Sequence, residues 1–568
     1  MIGGAFALLV LVVVLLGPGL RREFFPEVDS GAFEMTVRLP SGTRIEVTEG
    51  YVEAVERYIK SKLGADLELV ISELGPTADW SAAFTQNSGP MDAVVKVQLI
   101  PERSRSAQEC VALLRTGFAD DPEFAKVLED VYKERYEKQE IPLGVGGFNR
   151  MNVEFAFDAG GMIRSAMNEG KSTPINVKVT GKDLKKARTV AEKILAEVRD
   201  IDGVVDARIM QRLDYPLYVI DVDRAMAASL GLNQMEVMRN IVAAFNSSVQ
   251  FNKKNFWIDP VSHNQYYVGV SYPEQSIADL DTLLDIPLTS PTQKKPIALR
   301  TIATLRKAEV PSEIVHTNLQ PTIDLTMGVS GRDLGHVAVD VKKTVAKFGR
   351  ERQDGTWTAF DPAVAEPTPM EGAKIALSGE FQKMNTTFQY QAMGMAAAVL
   401  LIYFLLVALF KSYITPVVVL SAVPIGVIGV VLILAITGTA LNMQSLLGVI
   451  FMVGIVVSNT VLLTDFATNL QKQENFTPDA AIRKAAAIRV RPVVMTALAT
   501  FFALVPMSLG LARGSEANVP LGRAVLGGLI AGLLTTLFVV PCVYSLVVPR
   551  KLGDHADAPE AEDAPVEA

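Results

Sequence analysis

The stretch that decides the fold is "SLLGVIFMVGIVVSNTVLLTDF", from Ser445 to Phe466. It is long and apolar enough to cross a bilayer as a helix, because a span needs about 20 mainly apolar residues. It nevertheless carries polar side chains at Ser458 and Asn459 and an ionisable one at Asp465. Polar groups within a bilayer usually face other helices. The segment therefore predicts one helix of a membrane bundle.

Further apolar runs lie on both sides of this stretch. The 568 residues are 49% hydrophobic and 20% charged, but residues 21–390 have an ordinary soluble composition. The chain is thus predicted to be an integral membrane protein with a large water-exposed insert. The six predicted transmembrane helices are 1–20, 391–410, 414–437, 445–466, 492–511 and 521–548. The acidic, Ala/Pro-rich tail 552–568 is predicted to be disordered.

The first apolar run has no basic residue before it and no clear cleavage site after it, so it is interpreted as a retained helix rather than a signal peptide. Its abrupt start is typical of a chain cut from something longer. Six spans place most basic loop residues on one face, which the positive-inside rule assigns to the cytoplasm. These residues are Lys411, Lys472, Arg483, Lys484, Arg489, Arg491, Arg550 and Lys551. The insert is therefore predicted to lie outside the cytoplasm.

Composition argues against several classes of protein. The net charge of −8 gives no reason to expect nucleic-acid binding. Cys110 lies in the insert and Cys542 in an apolar run, so no disulfide is predicted. The four histidines are far apart and match no metal-ligand spacing, so neither a bound metal nor a cofactor is predicted.

The insert shows repeated strand–helix–strand patterns. Alternating strands at "AFEMTVRLP", "PINVKVTG" and "TIDLTMGVSG" are followed by helical spacing over 43–62, 182–199 and 333–347. This pattern predicts small α+β sandwiches with helices on one sheet face. A further segment contains the helix "NQMEVMRNIVAAFN" and the hairpin-like "VQFNKKNFWIDPVSHNQYYVGV". Its "NKKNFW" tip is either a loop or an arm that grips another subunit.

Several stretches resemble one family of transporters. They are "FFPEVDSGAFEMTVRLPSGT", "NEGKSTPINVKVTGKDL", "ALFKSYITPVVVLSAVPIGVIG", "GIVVSNTVLLTDF" and "RVRPVVMTALATFFALVPM". Together with the order of one helix, a large insert and five helices, they resemble the resistance–nodulation–division (RND) efflux permeases. The resemblance covers nearly the whole chain and is strongest to the C-terminal half of the multidrug, or hydrophobe/amphiphile, branch.

The resemblance implies a fold and a set of partners. The fold is a membrane bundle of six transmembrane helices with periplasmic α+β porter subdomains built from βαβ repeats. Porter subdomains are expected at 24–165 and at 172–215 with 311–385, and a docking subdomain at 216–310. The implied assembly is an inner-membrane trimer that contains an N-terminal permease half and contacts a periplasmic adaptor and an outer-membrane channel. Its implied activity is the export of hydrophobic or amphiphilic compounds by proton antiport.

The resemblance also implies candidate residues for proton coupling. Asn459 matches the family's asparagine in the fourth helix, but Ser458 stands where the family has lysine, and serine can only hydrogen-bond a carboxylate. Arg489 and Thr496 match the relay arginine and threonine of the fifth helix. Asp465 is expected near the cytoplasmic end of its helix. The alternatives are structural: helix–helix bonding, a positive-inside anchor for Arg489 and an interfacial charge for Asp465.

Other functions remain open at this point. Heavy-metal members of the family use methionine clusters, and Met35, Met91, Met151 and Met162 lie in the insert, but their spacing does not separate a metal path from core packing. A translocation accessory protein and a partner that no longer transports are further alternatives, the latter because of Ser458.

Overall fold

The computed structural model describes the chain over 2–75, 89–141, 146–159, 173–245, 256–268, 280–289, 295–364, 366–474, 476–511 and 514–548. Two compact units make up the chain: residues 1–211 with 314–568, and residues 212–313.

The helices are numbered in chain order. They are α1 Ile2–Leu16, α2 Ile45–Leu63, α3 Ala107–Asp120, α4 Pro122–Glu137, α5 Leu184–Val198, α6 Arg224–Ser229, α7 Gln234–Phe245, α8 Leu280–Leu284, α9 Leu334–Ala346, α10 Glu380–Phe410, α11 Thr415–Leu420, α12 Ala422–Ile436, α13 Met443–Glu474, α14 Pro478–Leu509, α15 Val519–Leu534 and α16 Val540–Val547.

The strands are numbered in the same way. They are β1 Ala32–Arg38, β2 Leu67–Leu74, β3 Asp92–Leu99, β4 Glu154–Asp158, β5 Ile175–Thr180, β6 Val204–Ile209, β7 Tyr215–Val222, β8 Phe256–Ile258, β9 Gln265–Tyr267, β10 Pro287–Leu288, β11 Ile297–Ala298, β12 Ala303–Val310, β13 Val315–Thr317, β14 Gln320–Val329, β15 Gly349–Glu351, β16 Trp357–Phe360 and β17 Pro369–Gly379.

Sandwich 1 consists of β1–β4 with α2–α4. Its antiparallel sheet has the order β2-β3-β1-β4. The alternation predicted for β1 is confirmed, because Met35 and Val37 are completely buried while their neighbours in the strand are not. A capping box between Ser106 and Glu109 starts α3, and Asp121 caps α4.

Sandwich 2 consists of β5, β6 and β13–β17 with α5 and α9. Six strands follow the order β13-β14-β5-β17-β16-β15, and β6 pairs with β14. Every pairing is antiparallel. The strand–helix–strand order is therefore present along the chain, but no two strands are parallel neighbours in this sheet. Asp183 and Asp333 cap α5 and α9 with their carboxylates.

The unit of residues 212–313 has its own small core. Strands β7 and β12 form one antiparallel ladder, and α7 contributes Val237 to a cluster with Leu288 and Leu299. The predicted hairpin is present as β8 and β9. Its turn is Asp259–Asn264, where the backbone of Asp259 exchanges hydrogen bonds with His263 and Asn264. Of the predicted "NKKNFW" tip, Phe256 and Trp257 lie in β8, and residues 252–255 lie outside the described residues.

The apolar segments form a helical bundle. Within the described residues, five helices or helix pairs are long and apolar enough to cross a membrane, and Ile2–Leu16 is a shorter apolar helix. Helix α13 begins and ends outside the predicted span 445–466, so Asp465 lies nine residues before its end at Glu474 rather than at its terminus. Helices α10 and α14 likewise begin well before their predicted spans, because their polar first turns still satisfy helical hydrogen bonding.

Close packing of backbones joins the bundle. A Cβ atom added to Gly429 in α12 would overlap the carbonyl oxygen of Gly527 in α15, and the converse is also true. Gly528 and Gly532 contact Met452 and Val456 of α13 in the same way. Small residues at such crossings let helices approach closely, which is how helices pack where lipid removes the hydrophobic driving force.

Candidate functional site

The predicted polar residues of α13 lie on the outside of this chain. Ser458 and Asp465 are exposed on one face, and Asn459 is half-buried beside them. The Asp465 carboxylate accepts a hydrogen bond of 3.3 Å from Asn469 on the next turn. Within the described residues, neither Ser458 nor Asn459 bonds to a neighbouring helix.

The polar contacts across helices belong to other residues of α13. The hydroxyls of Thr460 and Thr536 are 3.1 Å apart, and those of Thr468 and Tyr544 are also 3.1 Å apart. Tyr544 donates in turn to Oε1 of Gln471 at 3.1 Å. The sequence signal for this inner face is the four-residue spacing of the threonines, which places them on one stripe of the helix.

The two candidates in α14 are separate from those in α13. The guanidinium of Arg489 lies over the ring of Phe466, 4.8 Å from its centroid, and its buried Nε has no hydrogen-bond partner among the described residues. The Thr496 hydroxyl donates to the carbonyl of Val493 at 3.0 Å. No hydrogen bond or ion pair in the described part of the chain joins any two of the five predicted residues.

A cleft lies between sandwich 1 and sandwich 2. Its lower cavity, of about 440 Å³, lies against the sandwich-facing ends of the helices and is lined by Phe24, Phe25, Gln108, Arg332, Glu380 and Gln444 among others. A second opening of about 430 Å³, here called the porter groove, lies between α3 and β4 on one side and β6 on the other.

An ion pair separates these two spaces. Arg115 on α3 donates to both carboxylate oxygens of Asp206 on β6, from Nε at 3.0 Å and from Nη2 at 2.8 Å. The backbone N–H of Phe157 donates to the same carboxylate at 3.1 Å. All three residues line both spaces. Because this pair joins the two sandwiches, breaking it would let them move apart.

A second tether joins the sandwiches near the first. Arg38 on β1 donates to the carbonyls of Ile209 and Met210 at 3.2 and 2.9 Å, while its Nε lies 3.6 Å from the Asp92 carboxylate. Carbonyl oxygens carry no charge, so this tether relies on charge-assisted hydrogen bonds rather than on an ion pair.

Arg208 differs from these arginines. It lines the porter groove, but its Nε and Nη1 are buried and have no hydrogen-bond partner among the described residues. Burial, and then the nearby charge of Arg38, lower the pKa of Arg208 to about 10. Its Nε and Nη1 donors therefore have no acceptor among the described residues.

Sequence reasoning missed Arg115, Asp206 and Arg208. They lie in separate units of the sequence pattern, 91 residues apart for the ion pair, and one charged residue among many gives no signal of its partner. The backbone of Asp206 is left-handed, with a φ of +54°. Asp and Asn are among the few residues that tolerate this conformation, so the residue type at this position is a weak signal. An aspartate in a sequence does not by itself predict a left-handed backbone.

The comparisons with known proteins define the class of protein. The chain matches the AcrB/AcrD/AcrF family over residues 1–548. It therefore belongs to this family of RND permeases, whose fold combines helices that could span a membrane with β-rich, porter-like regions.

Its relatives include proteins named for multidrug resistance and proteins named for cation efflux. The chain is 24% identical to the multidrug resistance protein MdtC of Pantoea ananatis, which it matches over 95% of its own length and 46% of the relative's. It is 25% identical to the cation efflux system protein CzcA of an Alcaligenes species, over 98% and 47% of the two chains. The chain thus spans about half the length of the curated relatives it matches.

Solved structures give the same picture. A crystal structure of a heavy metal efflux pump superposes with a TM-score of 0.75 at 25% identity, covering 96% of this chain and 50% of that one. A second crystal form of a heavy metal efflux pump superposes with a TM-score of 0.74 and the same coverage.

Proposed function

We propose that this chain is the C-terminal half of an RND efflux permease that exports hydrophobic or amphiphilic compounds by proton antiport. The observation that carries the proposal is the match to the family over residues 1–548, in a chain with about half the length of its relatives. The activity therefore requires an N-terminal half, supplied by a separate chain or by a segment of a longer one.

The proposed architecture places the cleft on the transport path. Six helices span the inner membrane, the sixth combining α15 and α16, and the sandwiches are periplasmic porter subdomains at 24–165 and at 172–215 with 311–385. The residues 216–310 form a docking subdomain, which is supported by the separate compact unit 212–313. Substrate would enter the lower cavity and pass the Arg115–Asp206 pair towards the porter groove.

The proposed assembly follows from the family. The permease is a trimer that contacts a periplasmic adaptor and an outer-membrane channel. The exposed face of α13, with Ser458, Asn459 and Asp465, is where the N-terminal half would pack. Side chains left exposed along an otherwise apolar membrane helix are expected to find partners in another chain or segment.

Energy coupling is assigned to Ser458, Asn459, Asp465, Arg489 and Thr496. Moving one charge through 100 mV supplies about 2.3 kcal/mol, which is enough to shift conformers separated by a few kcal/mol. With serine in place of the family's lysine, the carboxylates of the other half would be met by hydrogen bonds rather than by a mobile cation.

Metal export is the second candidate function, favoured by the relatives named for cation efflux and heavy metal efflux. Two of the four methionines named above do not support it, and a third, Met151, is half-buried. Met35 and Met91 are packed in the core of sandwich 1, with 0% and 2% of their surface exposed. Met162 lies outside the described residues. Within the described ranges, no three His, Cys, Asp or Glu side chains come close enough to hold a metal ion.

Export in cells tests the proposal. Efflux of the dye N-phenyl-1-naphthylamine is measured with both halves, with this chain alone, and with the variants Asn459→Ala and Thr496→Ala. We expect export only with both halves and a loss in both variants, while the matched changes Asn385→Ala and Thr386→Ala on exposed α10 have no effect. Unchanged export in both relay variants would refute the coupling assignment, and no export of any compound would favour a non-transporting or accessory role.

A further inference from the structure

We propose that His336 is a proton-controlled clamp between the end of α1 and sandwich 2. The protonated ring ties the linker, residues 17–24, to the start of α9, and the neutral ring releases one end of this tie. The inference concerns regulation of the fold rather than export, so it does not rest on the proposed function.

Both nitrogens of the His336 ring face acceptors. Nδ1 lies 2.8 Å from each carboxylate oxygen of Asp333, and Nε2 lies 3.0 Å from the carbonyl oxygen of Pro18 in the linker. An ionised carboxylate and a carbonyl only accept hydrogen bonds, while a neutral imidazole has one N–H and an imidazolium has two. Only the protonated ring therefore donates to both neighbours.

The Asp333 carboxylate determines which contact is lost with the proton. It accepts from the backbone N–H groups of Arg22 at 3.0 Å and His336 at 3.1 Å. Burial acts to raise the pKa of Asp333, but the hydrogen bonds that it accepts outweigh burial and lower the pKa. A carboxylate next to Nδ1 keeps the remaining proton on that nitrogen when the ring becomes neutral. The bond that disappears is therefore the one from Nε2 to Pro18.

Other charged groups lie near the ring. Asp340 is one turn further along α9, where it pairs with Arg332 at 3.0 Å. The Arg22 side chain lies against the first turn of α9, and Glu380 begins α10, which also contacts α9. About 40% of the His336 side chain is exposed, so the ring exchanges its proton directly with water. Acidification of the medium around the sandwiches closes the clamp, and a more alkaline medium opens it.

The linker is also bonded to the start of α13. The carbonyl of Arg21 accepts from the N–H of Leu441 at 2.7 Å, and the N–H of Glu23 donates to the carbonyl of Leu441 at 3.1 Å. Helix α13 begins two residues later, at Met443. A change in the clamp therefore reaches both sandwich 2 and the helix on which three of the predicted coupling residues lie.

Hydrogen exchange of the full chain in phosphatidylcholine nanodiscs tests the clamp. Protection of the backbone N–H groups of Arg22 and Gly335 is compared at about pH 5.5 and about pH 8.5, with correction for intrinsic rates. These values lie on either side of about pH 6.5, where a histidine side chain ordinarily changes charge. We expect protection to fall about three- to tenfold as the pH rises, because a charge-assisted bond of a partly exposed ring is lost. In His336→Gln, whose amide does not titrate, protection should be equal at both pH values.

A second measurement follows the ring in the parent chain. The chain has four histidines, so isotope-labelled histidine gives few ring signals in a magnetic resonance spectrum, and those absent from His336→Gln belong to His336. We expect N–H signatures at both ring nitrogens in the acidic sample and at Nδ1 alone in the alkaline one.

Controls separate the clamp from general loosening. His316→Gln removes an exposed histidine on β13 and should leave the pH dependence intact. The backbone N–H groups of Val177 and Leu325, in the buried core of sandwich 2, should keep their protection at both pH values.

Four results would overturn the inference. They are equal protection of the parent chain at both pH values, a pH dependence that survives in His336→Gln, a neutral ring with its proton on Nε2, and a fall in protection shared by the whole of sandwich 2. These measurements use this chain alone, so a failure of export in cells would contradict the proposed function without changing their outcome.

Discussion

Asp206 shows how a single residue joins the two walls of the cleft. Its left-handed backbone directs a buried carboxylate at both Arg115 and the N–H of Phe157, so one side chain of sandwich 2 binds two elements of sandwich 1. Removing the charge without disturbing the backbone requires asparagine, which tolerates the same conformation.

Asp206→Asn should loosen the cleft. The remaining amide bonds to Arg115 less strongly than a carboxylate, so the sandwiches separate more often. Spin labels on the exposed Thr116 and Asp202, in a chain without Cys110 and Cys542, would report a longer and broader distance distribution. Arg115→Met should act similarly. The effects of the two changes on the free energy of unfolding should be non-additive by about 0.5–3 kcal/mol. Glu192→Gln, in the exposed pair with Arg188, is the control, and an unchanged distribution in Asp206→Asn would contradict the role of the pair.

Residue patterns predicted the strand alternation of β1 but not this pair. Alternation depends on neighbours within a few residues, which the sequence shows directly. The Arg115–Asp206 contact depends on how two sandwiches pack. Arg208 is notable only because its Nε and Nη1 have no hydrogen-bond partner among the described residues. The polar face of α13 was identified. Within the described residues its hydrogen bonds across helices are made by Thr460 and Thr468, while the coupling roles of Ser458 and Asn459 stay predictions.

Among the elements, the segment that follows α1 is hydrogen-bonded to sandwich 2. The Asp333 carboxylate, which caps α9, accepts from the backbone N–H of Arg22 at 3.0 Å, and Gly335 donates to the Arg22 carbonyl at 2.9 Å. His336 lies within 2.8 Å of Asp333 through Nδ1 and 3.0 Å from the Pro18 carbonyl through Nε2. This junction couples the first helix to the sandwich that forms one wall of the cleft.

The junction should weaken in acid. Burial acts to raise the pKa of Asp333, but hydrogen bonds from the Arg22 backbone and from His336 outweigh it and lower the pKa. The stabilisation is then complete above the ordinary value of about 3.9 and is lost as the pH falls through the lower folded value. Hydrogen exchange at Arg22 and Gly335, corrected for intrinsic rates, should show protection at pH 6 that is reduced near pH 3. Asp333→Asn should abolish this difference, and equal protection of the parent chain at both pH values would contradict the prediction.

The packing of α12 on α15 allows a second test at this scale. Gly429→Ala places a Cβ against the carbonyl of Gly527 and should destabilise the bundle by about 1–3 kcal/mol. Gly454→Ala on α13 has open space around its Cβ and should instead be neutral or stabilising by up to about 1 kcal/mol. Unfolding of the purified chain by added dodecyl sulfate measures both, and equal stability of the two variants would show that the close approach is unimportant.

For the whole molecule, composition and periodicity were sufficient for the division into an apolar bundle and an insert of α+β sandwiches. Helix lengths were harder to predict, because hydropathy marks where a helix meets lipid and not where its hydrogen bonding stops, as α13 and α14 show. The cleft depends on contacts between distant segments, which no local pattern reports. Family membership and the open cleft together support the account of one half of an exporter.

Reconstitution tests that account most directly. This chain and the matching N-terminal half are incorporated together into proteoliposomes, and transport of N-phenyl-1-naphthylamine is followed after a pH gradient is imposed. The account predicts transport that requires both halves, stops when an ionophore collapses the gradient, and is lost in Asn459→Ala but not in Asn385→Ala. Transport that is equally fast without a gradient, or by this chain alone, would contradict it.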